Sequence, residues 1–130
     1  MFKLYFDGAS RGNPGPASYG GVIYKPDGDI FLTYKKTIGK QTNNVAEYMG
    51  LIVGLRHCIH KEIKNIAIFG DSNLVIKQSL GEWKVKNENL KKLNFEVKQC
   101  LKFIDNFTME HVYRNDNKVA DKLANDAFDE

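Results

Sequence analysis

The chain has 130 residues, 42% of them apolar and 27% charged, with a net charge of +3. Those values fit one globular domain and argue against a fibrous repeat or a disordered segment, and the mild positive excess permits contact with phosphates without demanding it. No apolar run reaches the roughly 18 residues of a membrane helix, and the opening Met1-Phe2-Lys3-Leu4-Tyr5-Phe6 lacks the regions of a signal peptide, so the expectation is a cytoplasmic monomer away from membranes.

Leu4 and Phe6 alternate with Lys3, Tyr5 and Asp7, a period-2 pattern that predicts a strand ending at Asp7-Gly8. Turn formers from Gly8 to Pro16 precede a second strand at about residues 18–24, and Pro26-Asp27-Gly28-Asp29 turns the chain into a third at about 30–38. The glycines between Gly8 and Gly15 do not form a nucleotide phosphate loop, since no Lys-Ser/Thr pair ends the run and a strand follows it.

From Asn44 the period changes. Tyr48, Ile52, Leu55 and Ile59 recur at helical spacing, with Val45 and Met49 widening the stripe. Cys58 lies on this helix and Cys100 far downstream, outside any Cys-x-x-Cys pair, so both read as buried thiols rather than as a zinc site or disulfide. Residues 66–69 form a short apolar strand, after which Gly70-Asp71-Ser72 opens a helix to Leu80.

Lys84, Lys86, Lys91, Lys92, Lys98 and Lys102 crowd the stretch after Trp83; taken alone they read as a solvated helix face. Leu90, Leu93, Val97, Leu101 and Ile104 mark that helix, residues 107–112 a last strand, and Ala120, Leu123, Ala124 and Ala127 a terminal helix in the acidic segment from Asp121 to Glu130. Asn106-Phe107-Thr108 matches the glycosylation pattern and reads as chance outside a secretory route. The predicted fold is α/β, a mixed five-stranded sheet of three antiparallel and then two parallel strands, in a single domain over residues 1–130 with helices on both faces.

Four acids stand where elements begin or end. Asp7 and Asp71 close predicted strands, and sites in mixed α/β sheets form beyond the carboxyl ends of strands. Glu47 and Asp121 fall in the predicted first turns of two helices, so all four could project toward one end of the sheet. Each also has a structural reading. Asn44-x-x-Glu47 fits a capping box, Asp71-Ser72 fits a helix N-cap, and Asp121 favours a helix N-terminus electrostatically.

The company of these acids separates the readings. The run from Phe6-Asp7-Gly8 through Arg11-Gly12-Asn13-Pro14-Gly15-Pro16, continued by Tyr19-Gly20-Gly21, resembles the opening strand and loop of type 1 ribonucleases H. Thr42-Asn43-Asn44-Val45-Ala46-Glu47 resembles the helix-entry motif of that family. Gly70-Asp71-Ser72 resembles its strand-end aspartate, and Asn117-Lys118-Val119-Ala120-Asp121-Lys122-Leu123-Ala124 its terminal segment. The four blocks occur in the family's order and span almost the whole chain.

The resemblance implies an endoribonuclease acting on the RNA strand of RNA/DNA hybrids through two metal ions, leaving 5′-phosphate and 3′-hydroxyl ends. Asp7 would bridge the ions, Glu47 and Asp71 would hold the one on the nucleophile side, and Asp121 would help hold the other. An all-oxygen ligand set suits Mg²⁺, with Mn²⁺ as a substitute. The family's mobile polar residue before the terminal helix maps onto His111 by an ungapped count from Asp121, but the predicted strand would fix His111 and leave Arg114 in the loop.

By the same resemblance Asn13, Asn43, Asn44 and Asn73 would contact the RNA strand, while Lys40 and Thr42 would grip a DNA phosphate. Trp83 would pack on a deoxyribose, or else simply fill core. The sequence departs from the best-known bacterial pattern between Trp83 and Leu90, which leaves no room for an extra helix and basic protrusion. A docking module without turnover, and another nuclease of the same superfold, are the competing readings.

Overall fold

The computed structural model describes residues 1–129; Glu130, the end of the acidic segment, lies outside them. Strands β1 (Phe2–Ser10), β2 (Gly15–Tyr24) and β3 (Ile30–Gln41) form an antiparallel meander. The strands β4 (Asn65–Gly70) and β5 (Asn106–His111) join in parallel, giving the order β3-β2-β1-β4-β5. The five-stranded mixed sheet is the predicted one.

β1 does not end at Asp7-Gly8. It runs to Ser10 because Gly8, Ala9 and Ser10 continue to pair with Tyr19, Ser18 and Ala17 of β2. The parallel ladder between β1 and β4, in contrast, stops at Phe6 opposite Gly70. Asp7 therefore sits where β1 keeps one neighbour and loses the other, which opens the sheet beside it.

Helix α1 (Asn43–His60) is capped by Thr42, whose Oγ1 accepts from the Val45 N–H at 3.3 Å. The Asn44-x-x-Glu47 capping box is thus not formed, and Glu47 lies in the second turn rather than the first. Ser72 caps α2 (Asn73–Ser79) and Asn87 caps α3 (Glu88–Leu101), each accepting from an N–H three residues on. The last helix, α4 (Lys118–Asp126), follows a short 3₁₀ turn at Arg114–Asp116.

Neighbouring residues in a strand face opposite sides of the sheet, and two glycines on opposite faces let helices close in. A Cβ on Gly8 would stand 2.3 Å from the Glu47 amide of α1, and one on Gly20 would stand 2.5 Å from the Ala124 amide of α4. The sheet is therefore layered between α1 and α4. Leu4, Phe6, Leu51, Ile52, Leu55, Ile66 and Ile68 are fully buried in the core, each worth about 1.5–3 kcal/mol of burial. Tyr48 donates to Gln78 Oε1 at 2.6 Å and accepts from Asn94 Nδ2 at 3.3 Å, which joins α1, α2 and α3.

Cys58 is buried as predicted, and burial pushes its thiol up to about 12; Cys100 is only half-buried, because it lies on the flank of α3. Between α2 and α3 the chain has only a short loop carrying Trp83, Lys84 and Lys86, with no extra helix. No described helix is long and apolar enough to cross a membrane.

Candidate active site

Asp7, Glu47 and Asp71 come together at the open end of the sheet. Each offers a carboxylate oxygen, and these oxygens lie within 4.8 Å of one another. The Gly8 N–H donates to both Asp7 Oδ1 at 2.9 Å and Glu47 Oε1 at 3.1 Å, so the glycine that admits α1 also holds the first two acids. Asp71 follows β4 directly and precedes the Ser72 cap of α2.

Glu47 Oε2 is buried and has no hydrogen-bond partner among the described residues. Burial raises the pKa of Asp7 most, followed by the charge and close approach of the Glu47 carboxyl, the charge of Asp71 and the approach of Asp121. Glu47 is also raised, first by burial; the approach of the Asp7 carboxyl and the hydrogen bond from the Gly8 N–H oppose the shift, and the charges of Asp71 and Asp121 add to it. Like charges gathered at a buried site are costly without a compensating cation. An orphaned carboxylate oxygen among three acids is the donor set that a hard divalent ion compensates, so these residues fit a hard divalent cation.

Asp121 falls in the first turn of α4 as predicted and lines the same cleft, of about 340 Å³, outside the tight triplet. Asn125 Nδ2 donates to the Asp121 carbonyl at 2.9 Å and reaches its Oδ1 at 3.4 Å, while Arg114 Nη2 stands 3.6 Å from Oδ1. Of the two candidate mobile residues, Arg114 lines this cleft and is 76% exposed. His111 closes β5 opposite Gly70, with its ring 5.4 Å from that of Tyr113, and does not line the cleft.

The predicted substrate residues divide. Asn43 lines the carboxylate cleft, and its N–H donates to Asn13 Oδ1 at 3.1 Å. Asn13, Thr42 and Asn44 line a second cleft of about 230 Å³ together with Asn87 and Asn89. Lys40 is exposed on β3 opposite Pro16, Asn73 begins α2, and Trp83 is 47% exposed; none of the three lines either cleft. Trp83 is therefore not core. Sequence reasoning missed Asn87, Asn89 and Asn125; Asn87 carried a signal only as a cap before the periodic run of α3.

Residues 5–127 match the family model described as reverse transcriptase-like. A ribonuclease HI of Halobacterium salinarum is 43% identical over 126 residues, which cover 97% of this chain and 63% of that protein. The crystal structure of an RNase H1 from the same organism superposes with a TM-score of 0.95 at 42% identity, covering 98% of this chain and 97% of that one. The chain belongs to the ribonuclease H family.

Within the family, LC11-RNase H1, solved in complex with an RNA/DNA hybrid, has a TM-score of 0.93 at 34% identity over 99% of this chain and 97% of that one. A bifunctional protein of Mycobacterium tuberculosis is 45% identical over 124 residues, which make up 95% of this chain. The chain spans 34% of the length of that mycobacterial relative and 63% of the halobacterial one. The ribonuclease H fold thus carries the carboxylate cleft at the open end of its sheet.

Proposed function

We propose that the protein hydrolyses the RNA strand of RNA/DNA hybrids, using divalent ions held by Asp7, Glu47, Asp71 and Asp121. The observation that carries this reading is the buried, unpartnered Glu47 Oε2 beside Asp7 and Asp71. When bound, a pair of Mg²⁺ or Mn²⁺ ions would lower the pKa of the attacking water and stabilise the departing 3′ oxygen.

The chain's own residues position these groups. The Gly8 N–H fixes the Asp7 and Glu47 carboxylates, and the start of α4 brings Asp121 to the same cleft. Arg114, exposed at the rim, is proposed as the mobile residue in preference to His111. Asn43 and Asn44, with Asn13 behind Asn43, would face the 2′-hydroxyls of the RNA strand; Thr42, in the second cleft with Asn87 and Asn89, would grip the other strand. Asn73 would contact RNA, while Lys40 and Trp83 would touch backbone and sugar from outside the clefts. In the proposed in-line step a water oxygen bonds to phosphorus as the bond to the 3′ oxygen breaks, leaving a 5′-phosphate and a 3′-hydroxyl. The reading keeps the expectation of a monomer, since one chain supplies all four carboxylates, and places the protein in the cytoplasm.

The test is cleavage of labelled RNA/DNA, RNA/RNA, DNA/DNA and single-stranded RNA with Mg²⁺ or Mn²⁺, with Asp71→Asn as control. Metal-dependent cutting of the hybrid's RNA strand alone, lost in Asp71→Asn, is the expected result. Hybrid binding without cleavage would replace the enzyme by a docking module.

A further inference from the structure

Helix α3 buries Leu90, Asn94 and Val97 and leaves Lys91, Lys92, Phe95 and Lys98 exposed. Lys91, Phe95, Lys98 and Lys102 succeed one another at intervals of four, three and four residues, which sets them in one row along the helix. From Lys84 to Phe103 six lysines stand against two glutamates, and both glutamates are engaged, Glu88 with Lys91 at 3.0 Å and Glu96 with Arg56 of α1. Lys92, Lys98 and Lys102 have no ion-pair or side-chain hydrogen-bond partner among the described residues. Beyond the helix, Lys64 Nζ reaches the Phe103 carbonyl at 3.5 Å and adds a further cation.

Aromatic rings interrupt this charge. Phe95 in the middle of the row and Phe103 after its end are each 61% exposed, and Trp83 stands exposed before its start. A solvated helix face needs the lysines but not the rings. Cations in a row with open aromatic rings between them match a phosphate backbone whose bases are free to stack. In a duplex the bases are already stacked on one another, so the matching ligand is a single strand. The row is also continuous with the second cleft. There Asn87 and Asn89 line the wall beside Thr42, and α3 runs about 21 Å onward from them.

We propose that the outer face of α3 binds single-stranded nucleic acid and holds a single-stranded DNA tail that continues from the hybrid strand gripped at the second cleft. The lysines neutralise the tail's phosphates, and Phe95 and Phe103 stack on its bases. Single-strand binding stands on α3 alone; the placing of the tail rests on the hybrid reading.

Fluorescence anisotropy without metal tests both parts, using oligo(dT), a blunt RNA/DNA hybrid, and the same hybrid with an oligo(dT) tail at one end or the other of its DNA strand. One of the two tailed hybrids should bind about tenfold tighter than the blunt one. Phe95→Ala should weaken oligo(dT) and that tailed hybrid about fivefold or more without changing the salt slope, and Phe95→Tyr should restore them. Lys98→Gln/Lys102→Gln should flatten the slope by about 0.7 for each phosphate no longer neutralised. Neither variant should alter blunt-hybrid affinity or the circular dichroism spectrum, since all three side chains are exposed. Equal affinity for blunt and tailed hybrids would overturn the placing of the tail. Oligo(dT) binding indifferent to both variants, or tighter capture by phosphatidylserine vesicles than by oligo(dT), would overturn the face itself. Phe95-dependent oligo(dT) binding in a protein that cleaves no hybrid would support the single-strand face and remove the hybrid reading.

Discussion

The side-chain amide of Asn117 donates to the Phe6 carbonyl at 2.9 Å, which ties the start of α4 to the residue before Asp7. The bond forms where the β1–β4 ladder ends, and the Asn117 carbonyl accepts from the Asp121 N–H at 3.0 Å. One residue therefore sets the distance between two acids that are far apart in sequence. Asn117→Ala should lower stability by about 1–3 kcal/mol, the cost of losing a buried hydrogen bond. It should also reduce hybrid cleavage more than hybrid binding, because the start of α4, which carries Asp121, loses its side-chain tie to β1. Thermal unfolding and single-turnover cleavage measure the two effects, and unchanged cleavage in a destabilised variant would restrict Asn117 to folding.

Asp71→Asn keeps the shape of the side chain and removes its charge from the triplet. Loss of several kcal/mol of transition-state stabilisation should lower turnover on the order of 10³-fold or more. The fold should be retained, because Asp71 makes no hydrogen bond to the core among the described residues and the α2 cap belongs to Ser72. Circular dichroism beside cleavage assays checks both halves.

The periodicities of Leu4 to Asp7, Tyr48 to Ile59 and Leu90 to Leu101 make the strands and helices legible, since burial on one face imposes them. Strand ends are less so. β1 passes Asp7 only because β2 continues beside it, a pairing that local pattern does not encode. The α1 cap escapes local pattern for a related reason: Thr42 and Asn44 both suit the position, and only the backbone geometry at Thr42 selects between them. The four acids are legible through the motifs around them. Asn125 and the Asn87–Asn89 wall are not, because an asparagine near a helix end reads first as a cap or turn former.

The raised pKa values of Asp7 and Glu47 make the metal-free protein sensitive to pH in a stated direction. Unfolded carboxyls titrate near pH 4. Both groups bind protons more tightly when folded, so their contribution is fully present below that pH and is lost as pH rises toward the folded values. The metal-free Tm should therefore fall from mildly acid to alkaline pH through this effect. Mg²⁺ or Mn²⁺ should raise the Tm more at pH 8 than at pH 5, and Asp7→Asn should raise the metal-free Tm while abolishing cleavage. Scanning calorimetry across pH with and without metal is the check; a metal-free Asp7→Asn protein no more stable than wild type at pH 8 would contradict the strain assigned to this pair.

Arg114 and His111 are separable by turnover. Arg114 stands 3.6 Å from Asp121 Oδ1 with 76% of its side chain exposed, so the pair is weak in stability terms and the arginine is free to move. His111 is held by β5 pairing with Gly70 and by its ring packing on Tyr113. Arg114→Ala should lower multiple-turnover cleavage on the order of 10²-fold, the low end of effects from a positioned proton-handling group. It should leave Mg²⁺ dependence and Tm nearly unchanged, while His111→Ala should change turnover less. The reverse order of the two variants would return the role to the strand residue.

The short loop between α2 and α3 sets how the substrate is held. With no protrusion, Lys84 and Lys86 beside exposed Trp83 are the only lysines in that loop. Binding carried by few phosphate contacts is weak and sensitive to salt, since each neutralised phosphate releases counterions. Hybrid affinity measured from low to physiological salt should fall linearly on a log–log plot. Removing both charges in Lys84→Ala/Lys86→Ala should flatten the slope by about 0.7–0.9 for each phosphate that these lysines neutralise. Trp83→Ala should weaken binding without changing the slope, because a ring on a sugar displaces no ions. A slope unaffected by the double lysine variant would move the electrostatic anchoring elsewhere, with the lysines of α3 as the next group to test.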